Sequence, residues 1–214
     1  MFNDESVDAG YEKEWAYVEK LLKESGNDDF SGGKCGNYPF RSRYAHTRRV
    51  FTWLRRMLDD VGAVDVVAME VAVIFHDVGY AKGKNHEHAF LSAEIFHEYS
   101  VANDFLPEKR ELIEYLIKNH NNKELLVRGS KEELILLMEA DIMDEEGAMR
   151  IAWDNMAAAV CGAKSFKESL ERTEKYFNPD YNPMITPLAR NFFQEKQEFV
   201  KEYIRRFKDD LGEC

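Results

Sequence analysis

The chain has 214 residues and a mass of 25.0 kDa, and 44% of its residues are hydrophobic, which is enough to build one sizeable core. Acidic residues outnumber basic residues by 40 to 29, so the formal net charge is −11 at pH 7. This balance argues against a nucleic-acid polymer as the main partner, because phosphate backbones are bound by clusters of Lys and Arg. It does not exclude a small phosphorylated substrate, since a local cation can reverse the charge of one pocket.

The amino-terminal stretch MFNDESVDAG lacks the basic start and the apolar run of a signal peptide. No apolar run approaches the ~20 residues that a membrane helix needs. Three scattered cysteines, Cys35, Cys161 and Cys214, form no CxxC pair. The sequence therefore predicts a cytoplasmic protein with reduced thiols, no membrane partner, no disulfide framework and no thiolate zinc site.

Helical periodicity dominates the chain, and no alternating strand pattern lasts for more than a few residues. The predicted fold class is therefore all-α, a compact helical bundle. Helices are predicted at about 11–24, 44–61, 65–78, 87–100, 108–120, 131–143, 145–161, 165–176 and 187–211. Loops are predicted at residues 26–40, which are rich in Gly, Asn and Asp, and at residues 177–187.

We expect a single domain in three parts. Residues 1–40 form an amino-terminal helix and loop, residues 41–150 form the core, and residues 151–214 complete it with further helices. The last part carries aromatic side chains at helical spacing, including Trp153 and Tyr176. We expect these aromatic residues to cover the bundle, with some of them shaping a substrate pocket or a homodimer face.

Ionisable residues lie on the apolar faces of several predicted helices, if successive residues are placed 100° apart. These residues are His46, His76, His88, His120 and Asp141, with Asp77 directly beside His76 at the end of the apolar run AVIF. Each could be a structural residue with its own hydrogen bond, which is the usual case for a single buried histidine. Because so many inward faces need polar partners at once, a shared metal site satisfies them together.

The remaining two histidines do not fit this pattern. His97 is flanked by Glu94 and Glu98, and we interpret it as a surface residue. His86 falls on the opposite side of its helix from His88, so it stays a reserve candidate that would have to approach from a loop. Imidazole and carboxylate ligands without thiolate suit a divalent ion such as iron, manganese, zinc, cobalt, nickel or magnesium, and one or two ions fit the residue count.

The order of these residues resembles the HD-domain superfamily of metal-dependent phosphohydrolases. The resemblance lies in HTRRV, IFHDVGY and EADIMD, and it covers about residues 41–150. It implies that His46, His76, Asp77 and Asp141 bind one metal ion. The segments HAFLSA and EYLIKNHN further resemble the subset of the family that binds two ions, commonly iron. In that subset His88 and His120 would hold the second ion.

The resemblance implies hydrolysis of a phosphoester or phosphoanhydride bond in a small, nucleotide-like substrate by a metal-activated water, with Asp77 bridging the ions and orienting the nucleophile. Many relatives read HDxGK, in which the Lys contacts phosphate, but Tyr80 stands at that position here. Cations that would take over this role are drawn from the segments beside the metal ligands. They are Arg43, Arg49, Lys82 and Lys84, with Arg41 as a further choice. The alternative for each is a solvated surface side chain.

Two further residues are candidates for supporting roles. Asp144 shares its side of the helix with Asp141 and is expected either to orient a histidine ligand or to be a solvated helix end. Ser92, one turn after His88, is expected to bond a ligand or its own helix. Two other functions are compatible with the same ligands: a diiron oxygenase of the HD fold and a non-catalytic sensor that binds a nucleotide or a metal.

Overall fold

The computed structural model describes residues 10–26, 30–33, 36–38, 41–58, 61–83 and 85–212. Within these residues the chain forms nine α-helices, which confirms the all-α prediction. They are α1 (Glu12–Ser25), α2 (Arg43–Met57), α3 (Val66–Phe75), α4 (His88–Asn103), α5 (Arg110–Asn119), α6 (Glu132–Asp144), α7 (Ala148–Val160), α8 (Phe166–Tyr176) and α9 (Pro187–Leu211). The predicted loop at 26–40 contains a short antiparallel pair, β1 (Phe30–Gly33) and β2 (Gly36–Tyr38).

Helix α3 is the centre of the bundle. Every residue from Ala68 to Phe75 is buried, and α1, α2, α4, α5 and α6 pack around it. Its sequence VVAMEVAVIF is rich in β-branched residues, but the Asp65 side chain accepts a hydrogen bond from the backbone N of Ala68 at 3.0 Å and caps the helix start. The helix ends at Phe75, so His76 and Asp77 lie in the turn that follows it.

A 3₁₀ helix, Val78–Lys82, continues from that turn and packs against α4. The backbone N of Gly79 donates to the Ser92 Oγ at 2.8 Å. A Cβ at position 79 would lie 2.1 Å from the backbone O of His88, so only glycine permits this approach. The close packing brings Asp77 next to the first turn of α4.

The carboxyl-terminal helices attach to α6 and to one another. Helix α7 packs against α8, and both contact α9. The buried Glu139 of α6 accepts hydrogen bonds from the backbone N of Thr186 at 2.8 Å and from its Oγ1 at 2.6 Å. These bonds fix the start of α9, which has Pro187 at its first position. Helix α7 begins at Ala148, a short connection after the end of α6 that carries Asp141 and Asp144.

Cys161 forms a disulfide bond, so the expectation of reduced thiols is wrong for this residue. Cys35 and Cys214 lie outside the described residues. Among the helices that the structure describes, none combines the length and the apolar character needed to cross a membrane.

Candidate metal centre

The inward-facing residues of five separate segments meet at one point in the bundle. His46 comes from α2, His76 and Asp77 from the turn after α3, His88 from the first position of α4, His120 from the end of α5, and Asp141 from α6. All of them are buried except Asp141, whose side chain is 29% exposed. The centre therefore opens to solvent on the side of Asp141.

The Asp77 carboxylate lies in the middle of this cluster. Its Oδ2 is 3.7 Å from the Nε2 of His46 and 3.7 Å from the Nε2 of His76. Its Oδ1 is 3.4 Å from the Nε2 of His88 and 3.6 Å from the Nε2 of His120. The ligand atoms thus form two groups that share Asp77, and the atoms of each group lie within 4.8 Å of one another.

Asp141 adds a second carboxylate to one of the two groups. Its Oδ1 is 3.0 Å from the Nε2 of His46 and 3.9 Å from the Nε2 of His76. In the other group, the Nε2 atoms of His88 and His120 face each other at 3.2 Å. Two ring nitrogens at this distance need a proton or a cation between them, because two lone pairs repel.

Backbone hydrogen bonds orient two of the imidazoles. The Nδ1 of His76 donates to the backbone O of Val73 at 2.7 Å, and the Nδ1 of His120 donates to the backbone O of Ile117 at 2.6 Å. Their Nε2 lone pairs consequently point into the cluster. In the described part of the chain the buried Nε2 of His76 has no hydrogen-bond partner. A buried acceptor without a donor fits a metal ligand, and the donor set suits a divalent ion.

The electrostatics of the centre favour a bound cation. Burial lowers the pKa of His76 to about 4, so this imidazole is neutral at physiological pH. Burial also acts to lower the pKa of His46, but hydrogen bonds with Asp141 and Asp144 outweigh it and raise that pKa to about 9. Although burial opposes ionisation of Asp77, its interaction with His76, a hydrogen bond with His120 and the positive charge of Arg43 hold its pKa well below the usual range. The carboxylates are therefore ionised and attract positive charge.

Asp144 lies directly behind His46. Its Oδ2 is 2.8 Å from the Nδ1 of His46, and its side chain is 3% exposed. The Nε of Arg49 donates to the Oδ1 of Asp144 at 2.7 Å, and its Nη2 donates to Oδ2 at 2.9 Å. Ser92 is fully buried and binds the backbone of Gly79, so it supports the turn that carries Asp77.

A stack of three side chains covers the other side of the centre. The Nη1 of Arg43 donates to the Oδ2 of Asp77 at 3.2 Å. Its guanidinium carbon lies 3.8 Å from the ring centre of Tyr80. The Tyr80 ring in turn stacks on His88, with ring centres 4.4 Å apart and an interplanar angle of 15°. Arg43 thus contacts the shared carboxylate from the side of α2.

Other candidates lie away from the centre. Lys82 is 43% exposed and its Nζ is 3.8 Å from the Oε2 of Glu94, because the 3₁₀ helix carries it along the outside of α4. The structure therefore does not bring Lys82 to the metal ligands, and Lys84 lies outside the described residues. The side chain of His86 is 84% exposed. His97 lies at the surface, where its Nδ1 is 2.7 Å from the Oε1 of Glu114.

Arg41 and Trp153 contact each other near the metal centre, and helical periodicity does not predict this contact. The guanidinium carbon of Arg41 lies 4.4 Å from the ring centre of Trp153, and Arg41 also pairs with Glu145. The proximity of Arg41 to His46 along the chain was an available signal. Nothing in the helical spacing distinguished Trp153, which lines a cavity, from the aromatic residues that pack in the core.

Comparison with known proteins gives a family and a fold. Residues 43–146 match the family model described as HD domain. The crystal structure of selenomethionine YpgQ from Bacillus subtilis is similar, with a TM-score of 0.65 and 18% identity, over 93% of this chain and 94% of that chain. The structure of Bacillus subtilis YpgQ in complex with ADP has a TM-score of 0.60 and 21% identity, over 93% of both chains. At 18% and 21% sequence identity, this similarity shows that the chain shares the fold of these proteins. No curated protein matches the chain significantly.

Proposed function

We propose that the protein is a metal-dependent phosphohydrolase, because its residues 43–146 match the family model described as HD domain. It cleaves a phosphoester or phosphoanhydride bond in a small, nucleotide-like substrate. The observation that carries the proposal is the position of Asp77, whose two carboxylate oxygens each face a pair of histidines. A carboxylate between two imidazole pairs is a donor set for two divalent ions.

The distances from the two oxygens of Asp77 assign each histidine to one of two ions. His46, His76, Asp77 and Asp141 would hold one ion, and His88, His120 and Asp77 would hold the second. When bound, such ions supply an acidic water near neutral pH and positive charge for the phosphoryl oxygens. With no thiolate present, the donor set suits iron, manganese, zinc, cobalt, nickel or magnesium.

The protein's own side chains hold and cover the reacting groups. Arg43 fixes one oxygen of Asp77, so that this carboxylate keeps a constant orientation toward the nucleophile. Tyr80 lies flat on His88 and restricts the access of bulk water from that side. The partly exposed Asp141 marks the open side, where a phosphate can enter. Arg43 supplies positive charge to Asp77 from the covered side, and Arg49 supplies it behind His46 through Asp144.

A nucleotide-like substrate is supported by two further observations. A structural neighbour of the same fold, Bacillus subtilis YpgQ, was crystallised in complex with ADP. The net charge of −11 disfavours binding of a long polyanion, whereas a small phosphorylated compound needs only local positive charge. We therefore propose nucleotides and related phosphate esters as the substrate class.

The test is a substrate panel on protein that has kept its metal. The protein is purified without chelator, its metals are measured by elemental analysis, and phosphate release is followed with nucleotides and simple phosphoesters in the presence of several divalent metals. We expect phosphate or pyrophosphate release that depends on the metal. Consumption of dioxygen without phosphate release would favour a diiron oxygenase, and tight nucleotide binding without any turnover would favour a sensor.

Two alanine variants provide the comparison. Asp77→Ala removes the shared carboxylate and is expected to abolish both hydrolysis and metal retention. His97→Ala removes a surface histidine that contacts Glu114 and is expected to leave both unchanged. Equal losses in the two variants would contradict the proposed site.

A further inference from the structure

Helix α7 has its polar and apolar sides reversed relative to an ordinary surface helix. Every exposed residue in it is apolar: they are Ala148, Met149, Ala152, Met156, Ala159 and Val160. The charged residues of the helix point toward α8 instead. There the Nη2 of Arg150 donates to the backbone O of Tyr176, and Asp154 lies beside Arg172. The outward face of α7, defined by its six exposed residues, therefore carries no charge.

The three largest of these exposed side chains form one continuous row. Met149, Met156 and Val160 lie within about 40° of one another on the helix and span about 16 Å along it. Their exposed fractions are 42%, 46% and 44%. Single exposed apolar residues are common on protein surfaces, whereas a continuous row is typical of a helix that packs against another helix.

The outward face of α7 borders a cavity of about 410 Å³ that lies between parts of α2, α6, α7 and α8. Met149, Ala152 and Met156 line this cavity together with Trp153 and Tyr176. Four arginines also line it, and each has a carboxylate beside it. The pairs are Arg41 with Glu145, Arg49 with Asp144, Arg150 with Glu146, and Arg172 with Asp154. Because these charges are paired, the cavity adds no net charge that would draw a charged molecule to this face.

Charge indicates that the molecule that covers this face is a second copy of the chain. The net charge is −11, so two copies repel each other in most relative orientations. Repulsion is weakest where two faces without acidic residues meet, and the outward face of α7 is such a face. A basic protein would instead be drawn to the acidic groove between α4 and α5, which is lined by Glu94, Glu98, Glu111 and Glu114.

The row on α7 complements itself when two copies of the helix pack antiparallel. A two-fold axis at the middle of the helix places Met149 opposite Val160 of the second copy. The same axis places Met156 opposite Trp153, so that a thioether meets an aromatic ring, which is a favourable contact. Antiparallel helices also bring the positive end of one helix dipole to the negative end of the other.

Charged residues beyond the two ends of α7 fit the same arrangement. Glu145 precedes the helix and is 53% exposed, and Lys164 follows the helix and is also exposed. An antiparallel pair brings Glu145 of each copy toward Lys164 of the other, whereas a parallel pair brings like charges together. The result is an apolar centre with a charged rim, which is the usual composition of a protein–protein interface.

We propose that the outward face of α7 binds the same face of a second copy, so that the protein forms an antiparallel two-fold dimer. The inference is independent of the proposed function, because it uses no metal ligand. It gives the second copy a place in the cavity wall, since that copy covers Met149, Ala152 and Met156. A helix about 20 Å long supplies only part of the ~800 Å² that each copy buries in a standard interface, so we expect a dissociation constant of about 1–100 µM.

Sedimentation equilibrium on the full chain tests the proposal. We expect the wild-type protein to approach twice the chain mass of 25.0 kDa as its concentration rises through this range. Met156→Lys places two ammonium groups in the apolar centre and should raise the dissociation constant by about tenfold or more. Val101→Lys is the matched control, because it adds the same charge at an exposed apolar position on α4, and it should leave the constant within about twofold. Circular dichroism checks that both variants fold.

Zero-length cross-linking with a carbodiimide tests the antiparallel arrangement. The reagent joins a carboxylate to an amine in direct contact, and within one chain Glu145 and Lys164 are separated by the length of α7, about 20 Å. A cross-link between these two residues therefore forms only between two copies, and we expect it in the wild-type protein but not in Met156→Lys. A wild-type chain that stays monomeric above about 100 µM overturns the proposal and leaves the face to a different protein. A Met156→Lys variant that dimerises like the wild type, or a dimer without this cross-link, overturns it as well.

Discussion

The hydrogen bond between Asp144 and His46 provides a direct test of how the metal centre is held. In Asp144→Asn the side chain keeps its size, but one of its two oxygens becomes an NH2 donor. If the amide oxygen faces the Nδ1 of His46, the amide nitrogen faces the Nε–H of Arg49. In the wild-type structure the Nε of Arg49 lies 2.7 Å from the Oδ1 of Asp144, which the amide nitrogen replaces. If the amide is flipped, the two donors oppose each other at His46 instead. The first orientation loses one partner, whereas the flipped orientation loses two, the Nδ1 of His46 and the Nη2 of Arg49.

The size of the effect follows from the surroundings of the two partners. The Arg49 side chain is 36% exposed, so water can replace a lost contact there, whereas His46 is 3% exposed and has no such replacement. The amide therefore keeps its oxygen toward His46, and the imidazole exchanges a charged acceptor, whose hydrogen bond is worth about 1.5–3 kcal/mol, for a neutral one worth about 0.5–1.5 kcal/mol. Since ~1.4 kcal/mol is a factor of ten, this difference of about 1–1.5 kcal/mol predicts that Asp144→Asn weakens metal binding by about tenfold.

The assay measures metal content after dialysis against buffers of increasing chelator strength. Asp154→Asn is the matched control, because Asp154 is also buried but contacts Arg150 and Arg172 rather than a metal ligand. We expect the control to retain metal like the wild-type protein. Wild-type metal affinity in Asp144→Asn, or the same loss in both variants, would refute the idea that Asp144 orients His46.

Three other predictions concern the same region. His88→Ala should lose one of two bound ions whereas Asp77→Ala loses both, as elemental analysis can show; identical stoichiometries would rule out a shared carboxylate. Gly79→Ala places a methyl group 2.1 Å from a backbone oxygen and should lower the free energy of unfolding in urea by about 2–3 kcal/mol or more, so a wild-type value would contradict the packing. Burial raises the pKa of Asp154 to about 6 from 3.8, so the native state binds this proton more tightly than the unfolded chain. The contribution of Asp154 to stability therefore falls as pH rises from about 4 to about 6, and Asp154→Asn should gain up to ~3 kcal/mol relative to wild type between pH 4 and pH 7; a difference that does not vary with pH would disprove this account.

The helices could be predicted from the sequence because their apolar stripes are regular. His120 follows Ile113, Leu116 and Ile117 on one face, and the structure buries all four side chains. The same periodicity placed the histidines on inward faces without any knowledge of the fold. What periodicity does not contain is the distance between two inward faces, so the division of the ligands around Asp77 required the structure.

Helical periodicity could not predict the two strands within residues 26–40 or the cavity that Trp153 lines, and the physical reasons differ. The strands Phe30–Gly33 and Gly36–Tyr38 are short and rich in glycine, so they show no alternation of polar and apolar residues. The cavity is formed by side chains from four elements, and its paired arginines have the composition of an ordinary solvated surface. Only the tertiary arrangement separates such pairs from surface ion pairs, because it places Trp153 beside them.

The tyrosine at position 80 shows how the fold accommodates a departure from the HDxGK pattern. A lysine here would supply positive charge from the segment that follows Asp77. Instead, Tyr80 packs flat on His88 and provides the surface on which the Arg43 guanidinium lies, at 3.8 Å from the ring centre. This guanidinium donates to Asp77 at 3.2 Å, so positive charge reaches the shared carboxylate from α2. Because the ring and the cation support each other, removing the ring would also release Arg43. The departure at position 80 is therefore compatible with phosphate chemistry at this centre.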